Sequence, residues 1–190
     1  MSPLACTRRT ALCVLVSTAF APRANAEDIE TPPEPSDYRL DNYRAPTPAT
    51  LSGARVVTTA EAHRLWAAKA AIFIDVLPQA PRPANLPENV LWRDKPRLDI
   101  PSSMWLPDTG YGALAPEVER YFFDSLARAS GGDKSKAVLF YCQRNCWMSW
   151  NAAKRALQMG YTTVIWYPDG TEGWSEEGHP FEERRSELRR

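Results

Sequence analysis

Residues 137–174 read AVLFYCQRNCWMSWNAAKRALQMGYTTVIWYPDGTEGW, and the pattern in that stretch decides the fold. Ala137 to Tyr141 is an unbroken apolar run, as expected of a strand buried on both faces of a parallel sheet. Cys142 stands directly at its C-terminal end, and residues 143 to about 146 form a tight loop. WMSWNAAKRALQM then reads as a helix closed by Gly160 at C′. Thr162 to Trp166 is the next strand.

The same alternation extends upstream. Arg55-Val56-Val57 is a short β-prone run. Thr58 or Thr59 caps a helix over TTAEAHRLWAAK, with Ala62, Leu65, Trp66 and Lys69 on one side. Ala71 to Val76 is another continuous apolar run, interrupted only by Asp75, which fits a structural role at its strand end. Residues 77–107 carry seven prolines and read as a long irregular excursion. Pro116 at N1 opens a helix over PEVERYFFDSLARA, and Gly131-Gly132 closes it. Strands alternating with helices of this length predict an α/β fold: a central, mostly parallel sheet with helices on both faces. In such sheets sites form where strands end and helices begin, and Cys142 is at such a junction.

The whole chain has 190 residues, with 23 basic and 23 acidic side chains, so no basic excess points to a nucleic-acid partner. Arg8 and Arg9, the short apolar stretch Thr10–Ala21 and Ala24-Asn25-Ala26 read as a signal peptide over residues 1–26. The apolar stretch is shorter than the ~20 residues a spanning helix needs, so no membrane anchor is expected after cleavage. Arg8-Arg9 also gives the leader a twin-arginine look, so export by either the general secretory or the twin-arginine route is expected, to the periplasm. Cleavage would remove Arg8, Arg9 and Arg23, leaving 20 basic against 23 acidic side chains, and would remove Cys6 and Cys13. Two cysteines then remain, Cys142 and Cys146, in an oxidising compartment. Residues 27–50 hold five prolines and no apolar periodicity, and read as an extended leader or linker whose Tyr38 and Tyr43 can dock on the domain formed by residues 51–190. The charged tail Glu182–Arg190 reads as a solvated helix end.

A cysteine between a strand end and a helix N-terminus faces loop amides and a positive helix end, which favour an anion and lower a thiol pKa. Arg144 adds a charge of the right sign. Cys142 is thus the expected nucleophile, ionised and reachable, with the loop amides as its cradle. Cys146 is its expected resolving partner. Gln143, Asn145, Trp147, Met148, Ser149 and Asp169 are the expected pocket residues. The pair also fits a small structural disulfide, although a bridge across a loop–helix junction is expected to need an unwound first turn.

These residues resemble the active-site half of a rhodanese-like domain, which has a strand ending in cysteine, a loop, a helix, a further strand and a Gly-rich segment ending in Trp. Ile72 to Val76 resembles that family's earlier strand, and Ile100-Pro101 through Leu106-Pro107 resembles its IPGAxxLP stretch, so the likeness spans roughly residues 55–180. Cys142-Gln143-Arg144-Asn145-Cys146-Trp147, with YPDGTEGW later, resembles more narrowly the PQQ-dependent catabolism-associated CXXCW motif proteins, although the spacing here is C-x-x-x-C-W. The resemblance implies a sulfurtransferase carrying a persulfide on Cys142, or a thiol–disulfide oxidoreductase. It would be exported and accessory to quinoprotein-dependent oxidation of alcohols, and its partner would be a small sulfur donor or a periplasmic redox protein. Trp147-Met148-Ser149 departs from the usual Arg-Ser/Thr of sulfurtransferase loops, and Met148 stands where related phosphatases need an arginine, so phosphatase activity is not expected.

Two readings without turnover stand beside this one. Cys142, Cys146 and Met148, with His63 or His179, offer soft ligands for Cu(I). Trp147, Trp150, Trp166 and Trp174 offer aromatic faces for a planar redox cofactor. Trp147 is expected to wall the pocket, whereas Trp150 and Trp166 fit ordinary core positions.

Overall fold

The computed structural model describes residues 31–92 and 95–186, so the leader read over residues 1–26 lies outside the described residues, as does the tail beyond Ser186. Its elements are β1 (Arg55–Val56), α1 (Thr59–Ala67), β2 (Ile72–Asp75), β3 (Arg97–Asp99), β4 (Met104–Trp105), α2 (Pro116–Ser130), β5 (Val138–Tyr141), α3 (Trp147–Gln158), β6 (Val164–Tyr167), α4 (Gly170–Glu176) and β7 (Glu182–Arg184). Five strands form one parallel sheet in the order β1-β6-β5-β2-β4, flanked by helices.

The apolar runs make this arrangement necessary. Val138 and Phe140 of β5 enter one core with Phe122 and Leu126 of α2 and Trp150 and Ala153 of α3. Leu139 and Tyr141 point to the other face, into a core with Ala62 of α1 and Trp174 of α4. A strand with apolar residues on both sides is stable only when both faces are covered. Helix starts follow their sequence signals. Thr58 Oγ1 accepts the Glu61 amide at 3.3 Å, and the Glu61 carboxylate accepts the Thr58 amide at 3.0 Å, closing a capping box. No described helix is long and apolar enough to cross a membrane.

Three segments differ from the sequence expectation. The Pro-rich excursion contains β3 and the edge strand β4, which joins the sheet beside β2. The described part of the charged tail is strand rather than helix: Glu182–Arg184 pairs antiparallel with β3. Both ladders are short and made by tertiary pairing, so neither leaves an apolar period in the chain. The third segment, residues 34–50, is extended as expected but packed, lying along α3. Asn151, fully buried, accepts the Arg39 amide at 3.0 Å and donates to the Arg39 carbonyl at 2.9 Å. The indoles of Trp147 and Trp150 donate to the carbonyls of Pro46 (3.0 Å) and Thr50 (3.1 Å). Tyr38 bonds Gln158, and the Arg39 guanidinium lies 5.2 Å from the Trp147 ring centre.

Candidate functional site

β5 delivers Cys142 to the carboxyl edge of the sheet, between the ends of β2 and β6. The chain then turns back through Asn145, whose φ of 55° is left-handed, a region that asparagine tolerates better than most residues. Cys146 follows in extended conformation as the N-cap of α3. Cys142 and Cys146 form a disulfide with their Cα atoms 6.3 Å apart. The bridge closes ahead of the helix, so the first turn of α3 is intact. The expectation of an unwound turn is corrected because Cys146 is outside the helix.

An ionised, reachable sulfur is likewise not what this state contains. Cys142 is fully buried and Cys146 is 2% exposed, and a disulfide has no thiol to titrate. The loop amides are also engaged. Arg144 N donates to Glu172 Oε2 at 3.1 Å, and Trp147 N, an orphan donor of the α3 N-terminus, donates to the Tyr43 carbonyl at 2.9 Å. Arg144 does not face the sulfurs. Its guanidinium makes a bidentate pair with Glu176 at 2.6 Å for each bond, and reaches Asp169 Oδ1 at 3.4 Å. These acids raise its pKa above the ordinary arginine value, the Glu176 bonds most of all.

The remaining pocket residues frame the bridge rather than line an open cleft. Gln143 forms an antiparallel bridge with Gly170, and Asn145 is exposed at the loop tip. Trp147 is 2% exposed beneath the extended segment, so it packs under that cover instead of walling a pocket. Met148 joins the same core as the two cysteines. Ser149 Oγ donates to the Cys146 carbonyl at 3.2 Å and accepts the Trp166 indole at 3.0 Å. Trp150, Trp166 and Trp174 are fully buried, so these three present no open face beside the disulfide. Of the soft ligands offered for Cu(I), Cys142, Cys146 and Met148 lie together, with the two sulfurs of the cysteines joined to each other, but neither histidine is with them. His63 and His179 stack on each other at 3.9 Å against Trp174, whereas Cys142, Cys146 and Met148 belong to the core on the other face of the sheet. Among the described residues no cluster of three or more His, Cys, Asp or Glu can hold a metal.

Several residues that shape the site carry no local sequence signal. Arg44 pairs across from Cys146 through the backbone, donates to the Arg144 carbonyl at 2.9 Å, and approaches Glu172 at 3.8 Å. Thr171 donates its amide (3.0 Å) and hydroxyl (3.3 Å) to the Cys142 carbonyl. Behind Thr171 lies a buried polar group. Arg97 pairs with Asp75 and reaches Thr171 Oγ1 at 3.4 Å, and Tyr141 donates to Asp99 Oδ1 at 2.6 Å. Burial, reinforced by Asp99, pushes the Asp75 carboxyl up to about 7, and burial raises Asp99 as well. A separate cavity of about 750 Å³, lined by Trp66, Phe73, Pro101 and Met104 among others, opens at the amino end of β2 and is remote from this loop.

A parallel, doubly covered sheet with its reactive element on a strand-to-helix loop at the carboxyl edge defines the class: an α/β domain of the kind that presents its site at such junctions. The chain belongs to the rhodanese-like domain family, whose model matches residues 58–177. No curated protein matches the chain in sequence. Among solved structures it is similar to a polysulfide-sulfur transferase homodimer from Wolinella succinogenes, at 19% identity and TM-score 0.43, covering 73% of this chain and 85% of that one. It is also similar to a protein of unknown function, a possible tyrosine phosphatase, from Rhodopseudomonas palustris, at 22% identity and TM-score 0.44, covering 69% and 86%.

Proposed function

We propose that the chain is an exported rhodanese-like protein whose Cys142–Cys146 pair performs sulfur transfer or thiol–disulfide exchange, accessory to PQQ-dependent oxidation of alcohols. The observation that carries the chemistry is the disulfide itself, closed between the end of β5 and the N-cap of α3. A thiolate or hydrosulfide forms a bond to Cys142 Sγ, the sulfur–sulfur bond breaks, and Cys146 leaves with the electron pair. Cys146 is the better leaving group because the α3 N-terminus stabilises its negative charge. With hydrosulfide the product is a persulfide on Cys142. With a thiol it is a mixed disulfide, which a second substrate thiolate opens by attack on the substrate sulfur, so that an oxidised substrate disulfide leaves and Cys142 departs as the reduced thiolate. The export reading rests on Arg8, Arg9 and the Ala24-Asn25-Ala26 sequence, and it agrees with a bridged pair in an oxidising compartment. The link to alcohol oxidation rests on the CxxxCW resemblance alone.

The test uses the mature chain. Intact mass is measured with and without reductant and alkylating agent, and then after hydrosulfide. The expected results are a bridged pair that opens while the fold persists, and a gain of one sulfur atom from hydrosulfide in the bridged protein alone. Cys142→Ser and Cys146→Ser have no disulfide to open and gain none from hydrosulfide, whereas a polysulfide donor, which brings sulfane sulfur, loads Cys146→Ser and not Cys142→Ser. Two sulfurs inert to reductant, alkylation and hydrosulfide in the folded protein would overturn the reading.

A further inference from the structure

The Cys142–Cys146 bridge closes a small covalent ring, and the ring's own Arg144 amide is occupied by a carboxylate from α4, Glu172 Oε2, at 3.1 Å. In an anion-cradling loop such an amide is a donor for an incoming negative group. Here the protein fills that place itself. Glu172 does not stand alone: Asp169 and Glu176 approach the same loop through Arg144. Arg144 is engaged by those acids, and the Arg44 guanidinium lies 3.8 Å from Glu172, with both Arg44 and Glu172 about half exposed. Three carboxylates against two guanidinium groups leave one negative charge in excess around the ring.

We propose that Glu172 is a specificity-determining residue that makes the disulfide select sulfur nucleophiles carrying a compensating cation, and reject doubly anionic ones. The inference rests on the exchange chemistry proposed above and names its substrate class: aminothiols, or peptide thiols with a neighbouring basic group. The step is an ordinary exchange. The incoming thiolate sulfur bonds Cys142 Sγ and is oxidised, the Cys142–Cys146 bond breaks, and Cys146 is reduced to a thiolate that takes a proton from water. Every nucleophile brings one negative charge on sulfur, so its remaining charge decides its approach. Cysteamine arrives with no net charge, 2-mercaptoethanol with one negative charge and 2-mercaptoethanesulfonate with two.

The experiment measures the rate of opening of the native disulfide by these three thiols, each corrected to its thiolate concentration. The wild-type order is expected to be cysteamine, then mercaptoethanol, then mercaptoethanesulfonate. The extremes should differ by about tenfold or more at low ionic strength, the effect of two unit charges at partly screened distance. Glu172→Gln keeps the side-chain shape and an acceptor oxygen, and should compress that ratio by about fivefold. The ratio isolates charge from any general loosening of the loop, which would speed all three reagents alike. Raising salt on the unmodified protein should compress the same ratio without any substitution, so the reading remains testable if the variant folds poorly. A wild-type ratio insensitive to salt, or one that Glu172→Gln leaves unchanged while all three thiols react, overturns the role of Glu172 alone. No reaction with any thiol overturns the exchange chemistry and this inference together.

Discussion

Replacing Asn151 with alanine tests whether the segment over α3 controls access to the disulfide. The Asn151 side chain is fully buried and makes three bonds: from the Arg39 amide (3.0 Å), to the Arg39 carbonyl (2.9 Å) and to the Gly110 carbonyl (3.0 Å). Each bond contributes about 1 kcal/mol net, and the stranded partners partly regain water once the segment lifts, so a loss of about 2–3 kcal/mol is expected. The two bonds to Arg39, about 2 kcal/mol of that loss, fall on the contact which holds Tyr43, Arg44 and Pro46 against the start of α3, whereas the bond to Gly110 lies outside the segment. If reductant reaches the sulfurs through a transiently lifted segment in rapid equilibrium, its rate scales with the lifted population. A change of about 2 kcal/mol then corresponds to reduction about 30-fold faster, at about 1.4 kcal/mol per tenfold.

The assay is the pseudo-first-order rate of disulfide reduction by dithiothreitol in the folded protein, set beside urea unfolding of the same variant. Ile165→Ala serves as the control. Ile165 is buried in the core on the opposite face of the sheet, and truncation there costs about 2–5 kcal/mol of global stability. Asn151→Ala should accelerate reduction strongly and the control should not. Equal acceleration by two variants of equal stability loss would mean that reduction passes through global unfolding. That result, or no acceleration by Asn151→Ala, refutes the gating argument.

Two further outcomes follow from other parts of the site. Gly170 has a left-handed φ of 52°, and a Cβ there would overlap the carbonyl of Cys142; Gly170→Ala should therefore cost at least about 1–2 kcal/mol for the backbone alone and displace the loop, read by urea unfolding and by faster amide exchange at Thr171. A neutral result would show that α4 does not fix the loop. The buried carboxyls set a pH trend. Asp75 is pushed up to about 7 by burial and then by Asp99, so the folded chain keeps a proton that the unfolded chain releases near pH 4. Stability is then fully present below about pH 4 and falls as pH rises through about 7. Glu61, held at about 2 chiefly by the Thr58 amide, acts in the opposite sense and only in more acidic solution. Asp75→Asn should flatten the fall seen in urea unfolding between about pH 4 and about pH 7, and an unchanged slope there would remove Asp75 as its source.

What the sequence made legible follows from where the physical signal is local. Ala137–Tyr141 and Ala71–Val76 are apolar on both alternating faces, so they announced buried parallel strands before any pairing was known. Pro116, Gly131 and Gly160 marked helix ends through their own backbone preferences. The junction at Cys142 was readable for the same reason. The state of that junction was not. Glu172 reaches the Arg144 amide across 28 residues, and Tyr43 reaches Trp147 from a segment that reads only as Pro-rich. Helix α4 was missed because Gly170 and Gly173 weaken any local helix signal. It forms because Trp174 packs beside Trp66 and His63, with ring centres 5.6 Å apart in each case. Arg144 misled for a related reason: its charge was legible, but the acids that turn it away from sulfur come from α4.

The size of the ring bears on how the pair works. A cross-link between residues four apart restricts the unfolded chain little, contributing about 2 kcal/mol by the loop-entropy relation, against about 4.7 kcal/mol for a loop of 100 residues. The fold has larger sources of stability on both faces of the sheet, among them the fully buried Trp150, Trp166, Trp174 and Phe122. Opening the bridge therefore removes a small part of the stabilisation and leaves both cores in place. It also frees Cys146 at the N-terminus of α3, where the helix favours the thiolate, in the same loop whose Arg144 amide is bonded by Glu172. A staple would be expected where it holds distant parts of the chain together. This bridge joins a strand end to the adjoining helix start, a placement in which it can open and close while the sheet stays intact.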